Sequence, residues 1–450
     1  MTQTRTRLER GRGALGPALE LVHTGRAPTR AVLTAELGVT RATAGAVAAE
    51  LEALGLIQVD SRPGAAAGTQ GRPSHRLTVA PGGPVVLAAQ VHVDGFRAAL
   101  VGLGGQIVAT APGCMTVPAD PAAVLDAVVA AGAGLLRASG RRCLGAGLAV
   151  PSAVAEPEGT ALNPLHVAWQ AGAPVRELFR RSLADAGIPE PAGARNGAYA
   201  PSASRAAPEP APGHRPHIHH QASLGHQAIA RADASHGVVF GHTGNDVNLA
   251  ALAEHRHGAG RGARHLLCVA TGHRGVGGAL VLDGRLHTGS SGLALEVGHL
   301  TVQPEGRSCY CGSRGCLDVE ADPLAFLAAA GRDLGPEVSL LQQARELLRE
   351  EYADPSVRAA AQLLIDRLGQ GLAGLVNILN PDRIILGGLH RDLLNADPER
   401  LRAVVAERSL WGRSGGVPIL PCTLDYNSLV GAAELAWQPV LDDPLGALGC

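Results

Sequence analysis

The sequence predicts an α/β protein with a small helical head at its N-terminus. Three observations carry that expectation: two short capped helices joined by Gly38-Val39-Thr40, apolar strands alternating with helices from Val85 onward, and an uneven spread of charge. At 450 residues the chain is about three times an ordinary domain length, so two or three domains are expected. Its 39 basic residues, all Arg, nearly balance 40 Asp and Glu, which excludes a uniformly basic nucleic-acid coat and an acidic disordered tail protein. Residues 1–80, however, hold ten Arg against six Asp and Glu, and the remainder holds 29 against 34. A basic head on a mildly acidic body suits a protein that sets one domain on DNA and keeps the rest away from phosphate. Apolar residues at 46% exclude wholesale disorder, and aromatics at 2% argue against single-strand binding by base stacking.

The head can be read element by element. Leu15–Val22 predicts a helix ending at Gly25. Thr29 caps a second helix, Arg30–Leu37, and Gly38 stops it. Thr40 caps a third, Arg41–Leu54, with Val47, Leu51 and Leu54 at helical spacing. Two short helices around such a turn form a helix-turn-helix, whose second member lies in the major groove with Thr40, Arg41, Thr43 and Gly45 toward phosphates and base edges. Leu56-Ile57 and Leu77–Val79 predict a hairpin whose tip, 61–75, contains Gly71-Arg72-Pro73. This is the pattern of a winged helix-turn-helix, with Arg72 placed to enter a minor groove. The simpler alternative is a plain three-helix bundle.

The body begins near residue 81. Val85–Val93, Arg97–Val101 and Gln106–Ala109 predict strands, Pro121–Ala138 a helix, and Leu144–Val150 another strand before Pro151-Ser152. Strand pattern returns at Leu266–Ala270, Gly277–Leu282 and Ile384–Gly388, with helices around Ala359–Leu379 and Leu429–Trp437. Between about 190 and 237 the chain is rich in Ala, Pro, Ser and His, without apolar periodicity, which predicts a disordered insertion. Uninterrupted apolar runs stay short of the roughly 18 to 20 residues of a membrane helix, Val124–Leu136 being broken by Asp126 and glycines. Arg5, Arg7, Glu9, Arg10 and Arg12 precede no apolar stretch of a secretory signal, so a cytoplasmic location without membrane contact is expected.

The strongest chemical signal is His299 followed by Cys309, Cys311 and Cys316. One imidazole and three thiolates match the set that closes a tetrahedral Zn²⁺ site. Four protein ligands leave no position for water, so a structural Zn²⁺ is expected. A buried cluster of free cysteines is the alternative.

With these residues the chain resembles the ROK family of repressors, uncharacterised reading frames and sugar kinases, and within it the repressor branch. The resemblance rests on Thr29-Arg30-Ala31 through Gly38-Val39-Thr40-Arg41-Ala42-Thr43, on Gly71-Arg72-Pro73, and on Gly244-Asn245-Asp246-Val247-Asn248. Glu296-Val297-Gly298-His299, the cysteine loop through Leu317-Asp318, and Asn380-Pro381 through Leu386-Gly387-Gly388 complete it. It implies a two-lobed, actin-like (ribonuclease H-like) sugar-binding body over 81–450 behind a DNA-binding domain over 1–80. It also implies that Asn245, Asp246, Glu296, His299 and Asp318 contact sugar hydroxyls, His299 ligating zinc through its other nitrogen. The implied partners are double-stranded operator DNA, a sugar or sugar phosphate effector, and a second copy of the chain.

In the family's kinases the residue matching Asp246 is the general base, and the body opens with Asp-x-Gly-Gly-Thr-Lys. Here the corresponding stretch is Gln90-Val91-His92-Val93-Asp94-Gly95, without the Asp, the paired glycines or any Lys. The second phosphate loop stands as His273-Arg274-Gly275-Val276-Gly277-Gly278. The expectation is a sugar-responsive regulator, a repressor of carbohydrate-metabolism genes, that is not an enzyme. The alternatives are a sugar kinase with an attached DNA-binding domain and a metal-responsive regulator using the His-rich insertion.

Overall fold

The computed structural model describes residues 13–60, 74–93, 95–114, 120–162, 164, 167, 169–188, 241–272, 274–332, 339–414 and 416–449. The expected insertion at 190–237 and Arg72 lie outside the described residues. The head contains α1 (Leu15–His23), α2 (Arg30–Leu37) and α3 (Arg41–Ala53), then an antiparallel ribbon of β1 (Ile57–Asp60) and β2 (Arg76–Val79). Both expected caps are made: Thr29 Oγ1 accepts the Val32 N–H at 3.3 Å and Thr40 Oγ1 accepts the Thr43 N–H at 3.2 Å. Gly38 ends α2 at φ 61°, a left-handed conformation that costs a residue without Cβ nothing.

The body is a topological duplication. Its first sheet contains β3 (Val85–His92), β4 (Gly95–Gly102), β5 (Ile107–Cys114), β6 (Cys143–Val150) after helix α4 (Pro121–Ser139), and an edge strand further on. Beyond the ribbon β7 (Val154–Ala155) and β8 (Thr160–Ala161) and helix α5 (Val175–Asp185), that edge strand is β9 (His242–Asn245). The order is β5-β4-β3-β6-β9, with the first three antiparallel and the last two parallel to β3. Helix α6 (Asp246–His257) leads into a second sheet begun by β10 (His265–Thr271), β11 (Val276–Leu282) and β12 (Arg285–Leu286). Helices α7 (Leu317–Glu320), α8 (Pro323–Ala329), α9 (Leu340–Glu351) and α10 (Pro355–Leu379) precede β13 (Arg383–Gly387). Helices α11 (Gly388–Ala396) and α12 (Pro398–Arg408) then lead to β14 (Ile419–Pro421), and α13 (Asn427–Asp442) and α14 (Pro444–Leu448) close the described chain. The second order, β12-β11-β10-β13-β14, repeats the first.

Side-chain alternation along β3 explains how the first sheet is covered. Val85, Leu87, Ala89 and Val91 pack with Val124, Leu125 and Val128 of α4 and Phe179 of α5, while Val86 and Ala88 face Trp437 of α13. By length and composition α4 is apolar enough to cross a membrane, at mean hydropathy 1.5. Asp126 and the glycines break its apolar run but not its helix, and its apolar stripe is spent on the sheet. Leu15, Leu19, Leu33 and Leu51 of the head share one buried cluster with Val86, Ala99, Trp437 and Val440, so head and body have a continuous core.

Helix α6 packs on the second sheet and α13 on the first, and the two helices meet at a glycine. A Cβ at Gly431 would stand 1.9 Å from the Leu249 carbonyl oxygen, and backbone has no room to yield there. Helix propensity favours Ala over Gly by about 1 kcal/mol, yet Gly431→Ala is expected to lower stability by about 1–3 kcal/mol through overpacking. Urea denaturation of the two proteins checks the sign, and a more stable Ala variant contradicts the packing account.

Candidate functional site

Strand β9 hands directly to α6 at Asn245. The Asn245 Oδ1 accepts the N–H groups of Val247 and Asn248, both at 3.0 Å, capping the helix and leaving the amide NH₂ as its donating end. Asp246 is the first helical residue, and its Oδ1 accepts the Val247 N–H at 2.9 Å. Burial raises its carboxyl to about 6, with the Val247 N–H pulling the other way. A carboxyl poised there can take a proton from a hydroxyl near neutral pH.

The second group of residues approaches from the other lobe. Glu296 precedes a 3₁₀ turn over Val297–His299. Its carboxyl is raised, first by burial and also by Asp318, against the pull of His299. Asp318 is buried, and its Oδ1 accepts the Val276 N–H at 2.7 Å, so one oxygen holds the start of β11. The two groups converge on that strand end from opposite faces. A Cβ on Gly277 would meet Val247, next to Asp246, and one on Gly278 would meet Val297, next to Glu296.

His299, Cys309, Cys311 and Cys316 come together as expected, with all ligand atoms within 4.8 Å of one another. Cys311 Sγ lies 3.7 Å from Cys316 Sγ, and Cys309 Sγ 3.7 Å from His299 Nδ1. Tetrahedral zinc with bonds near 2.3 Å to sulfur sets its ligands about 3.8 Å apart, so the donor set fits the ion. The loop is tied by Cys309 N–H to Ser313 O at 2.9 Å and Gly315 N–H to Arg307 O at 2.8 Å. Gly315, at φ 65°, lies so close to the Gln303 carbonyl that a Cβ would overlap it, which accounts for glycine beside Cys316. Burial pushes the Cys316 thiol up to about 12, whereas a hydrogen bond from the Ser313 backbone pulls Cys311 down. A bound cation would reverse the cost of burying thiolates. With Nδ1 toward the cysteines, His299 Nε2 is left on the outer side, 3.4 Å from the Tyr310 hydroxyl.

Tyr310 is the contact that sequence reasoning missed; its position between two ligands was the available signal. His242, three residues before Asn245, was also missed, and burial first, then Arg176, lowers it to about 4. In the head, Thr40 and Arg41 are exposed at the start of α3. Thr43 is half-buried, its hydroxyl 2.9 Å from that of Thr40, and Gly45 is half-buried, turned toward Arg30.

Two like-ordered five-stranded sheets with paired helices between them define the α/β, actin-like body of the ROK sugar kinases. Residues 238–438 match the ROK family, and the chain therefore carries a ROK family domain. The glucokinase of Thermotoga maritima is 33% identical over 221 residues, 46% of this chain and 62% of that protein. An N-acetylglucosamine repressor of Escherichia coli O157:H7 is 25% identical over 222 residues, 44% of this chain and 50% of that one. The chain thus spans about half to three-fifths of the length of these curated relatives. A crystal structure of a ROK family transcriptional regulator, a homologue of the E. coli MLC protein, superposes with TM-score 0.67 at 19% identity, over 98% of this chain and 99% of that one. The ROK family glucokinase of Streptomyces griseus with glucose and AMPPNP gives 0.58 at 23%, over 79% and 99%. At these identities the structural likeness speaks to the fold.

Two outcomes are expected. Elemental analysis of purified protein finds about one zinc per chain, as a four-ligand closed site requires, and Cys309→Ser abolishes it. Asp246→Asn alters stability with a defined sign. Because the folded carboxyl titrates near 6, above its ordinary 3.8, its favourable contribution is full below about 4 and lost as pH rises through 6. The Asn variant is therefore the more stable protein at pH 7–8, by on the order of 1–2 kcal/mol after allowing for partial solvent access. That gain fades as pH falls toward 4; thermal melts across pH measure it.

Proposed function

We propose that the protein is a sugar-responsive transcriptional regulator, acting in the cytoplasm as a dimeric repressor of carbohydrate-metabolism genes. Residues 1–80 form its winged helix-turn-helix DNA-binding domain, and residues 81–450 its sugar-binding body with an insertion at about 190–237. The observation that carries this reading is the capped pair α2–α3, joined at left-handed Gly38, with Thr40 and Arg41 exposed at the start of the second helix and a ribbon behind it. The N-terminus of α3 offers its first N–H groups and a positive dipole end to phosphate, and Arg41 offers charge; Arg72, outside the described residues, is assigned to the wing by the sequence pattern alone. The similarity to N-acetylglucosamine repressors supports the same reading.

In the body, Asn245, Asp246, Glu296, His299 and Asp318 bind vicinal hydroxyls, with the Asn245 amide donating and the carboxylates accepting. Structural Zn²⁺ on His299, Cys309, Cys311 and Cys316 fixes the imidazole so that Nε2 faces the ligand. Sugar closing the cleft favours one placement of the heads, and operator affinity changes by the difference in sugar affinity between the two states.

A second reading, a sugar kinase with an attached head, is favoured by the elevated Asp246 carboxyl and by the glucokinase relatives. Against it stand Gln90 through Gly95 and the commitment of the Val276 N–H to Asp318, because a phosphate cradle requires such N–H groups to face the ligand.

Thermal shift with a panel of hexoses and N-acetylhexosamines is expected to find a stabilising sugar, and that sugar is expected to change the affinity for operator DNA. Arg41→Ala is expected to weaken operator binding by about 1–3 kcal/mol without moving the sugar shift. ADP release with ATP and the same panel should stay at background; turnover would establish the kinase instead.

A further inference from the structure

Outside the candidate site, the Glu434 carboxylate on α13 is bonded to side chains of two other helices. It is fully buried, and it accepts from His23 Nε2 at 2.9 Å, Arg256 Nη1 at 2.7 Å and His257 Nε2 at 2.9 Å. These donors come from two different elements. His23 is the last residue of α1, in the head, and Arg256 and His257 are the last two of α6. The same junction is closed by the Gly104 N–H donating to His23 Nδ1 at 2.9 Å and by Arg261 Nη2 donating to the Thr24 carbonyl at 2.9 Å. Gly105 presses on the His257 ring, where a Cβ would stand 2.8 Å away.

Helix α6 gives this junction its meaning. Its N-terminus carries Asn245 and Asp246 in the cleft, and its C-terminus, about 18 Å away at 1.5 Å per residue, ends on Glu434. Its first turn, at Leu249, is pinned against Gly431. A helix held so tightly moves as a rod, because close-packed interiors do not deform continuously.

We propose that Glu434 is the junction through which cleft occupancy reaches the head: a shift of α6 at Asn245–Asp246 moves Arg256 and His257, and their shared carboxylate passes it to His23 at the end of α1. The inference deepens the regulator reading and rests on it. His23, His257 and Glu434 also have the spacing of metal ligands. A hydrogen-bonded junction accounts for them better. The Gly104 N–H occupies His23 Nδ1, which puts the ring proton on Nε2 facing the carboxylate, and the Arg256 cation already sits on that carboxylate. Burial first lowers His23 from its ordinary value, in keeping with a neutral ring.

The experiment uses full-length protein, D-glucose and N-acetyl-D-glucosamine as probes, and a duplex selected by the wild-type protein from a randomised library. In wild type a bound probe is expected to change duplex affinity about tenfold and to alter amide exchange over residues 15–27. In His23→Gln and Glu434→Gln the probe binds within about threefold of wild type and the sugar-free protein still holds the duplex, but the response falls to about twofold or less and the exchange change disappears. If Glu434→Gln does not fold, His23→Gln, which keeps Arg256 and His257 on the carboxylate, decides. Undiminished response in the folded variants overturns the junction, as does a second metal ion per chain that His23→Gln removes. Wild type that binds a probe but no duplex refutes the regulator reading while the exchange comparison still decides the junction. Wild type that binds neither probe nor any sugar of the panel overturns both.

Discussion

The approach of α6 to α13 at Gly431 is the constraint on which the rest of the architecture depends. Each helix covers one sheet, and only a residue without Cβ lets the Leu249 carbonyl come so near. The same economy recurs one layer away, where Gly147 of β6 lies under the Ala432 carbonyl. Two glycines thus set the spacing of sheet, helix and helix, and that spacing determines where the N-terminus of α6 places Asn245 and Asp246. Because backbone rather than side chain makes the contact, rotamer changes give it no slack.

The Glu296–Asp318 group and the cysteine loop are one construction viewed from two sides. Asp318 follows the last cysteine by two residues and holds Val276 at the start of β11, while His299 joins the same loop to the turn that carries Glu296. The loop therefore orders Glu296 and Asp318 through proximity along the chain. The thiols of Cys309 and Cys316 are costly to bury as anions, and a cation among them would offset that cost and lock the loop in the same step.

Much of this was legible in one dimension. The caps at Thr29 and Thr40 are local effects, a hydroxyl three residues from the N–H it accepts, and they occur where the sequence places them. The strands from Val85 to Val150 were legible for a similar reason, since alternation or sustained apolar character directly records burial on one face or two. Strand β9 was not, because His242-Thr243-Gly244-Asn245 has no apolar run; partnership with β6, set by distant residues, makes it a strand. The status of α4 needed three dimensions as well, because composition alone does not say what covers an apolar helix.

By itself the sequence determined the α/β class, the turn and caps of the head, and the Cys and His residues that gather at one loop, all from short-range spacing and residue chemistry. Tertiary structure alone decided that the head shares a core with the body and that one carboxylate, Glu434, is claimed by helices separated by more than two hundred residues. It also decided that Asp318 spends an oxygen on the β11 backbone. The physical reason is that a buried charge must be satisfied by whatever donors the fold brings to it, and no local pattern records who those donors are.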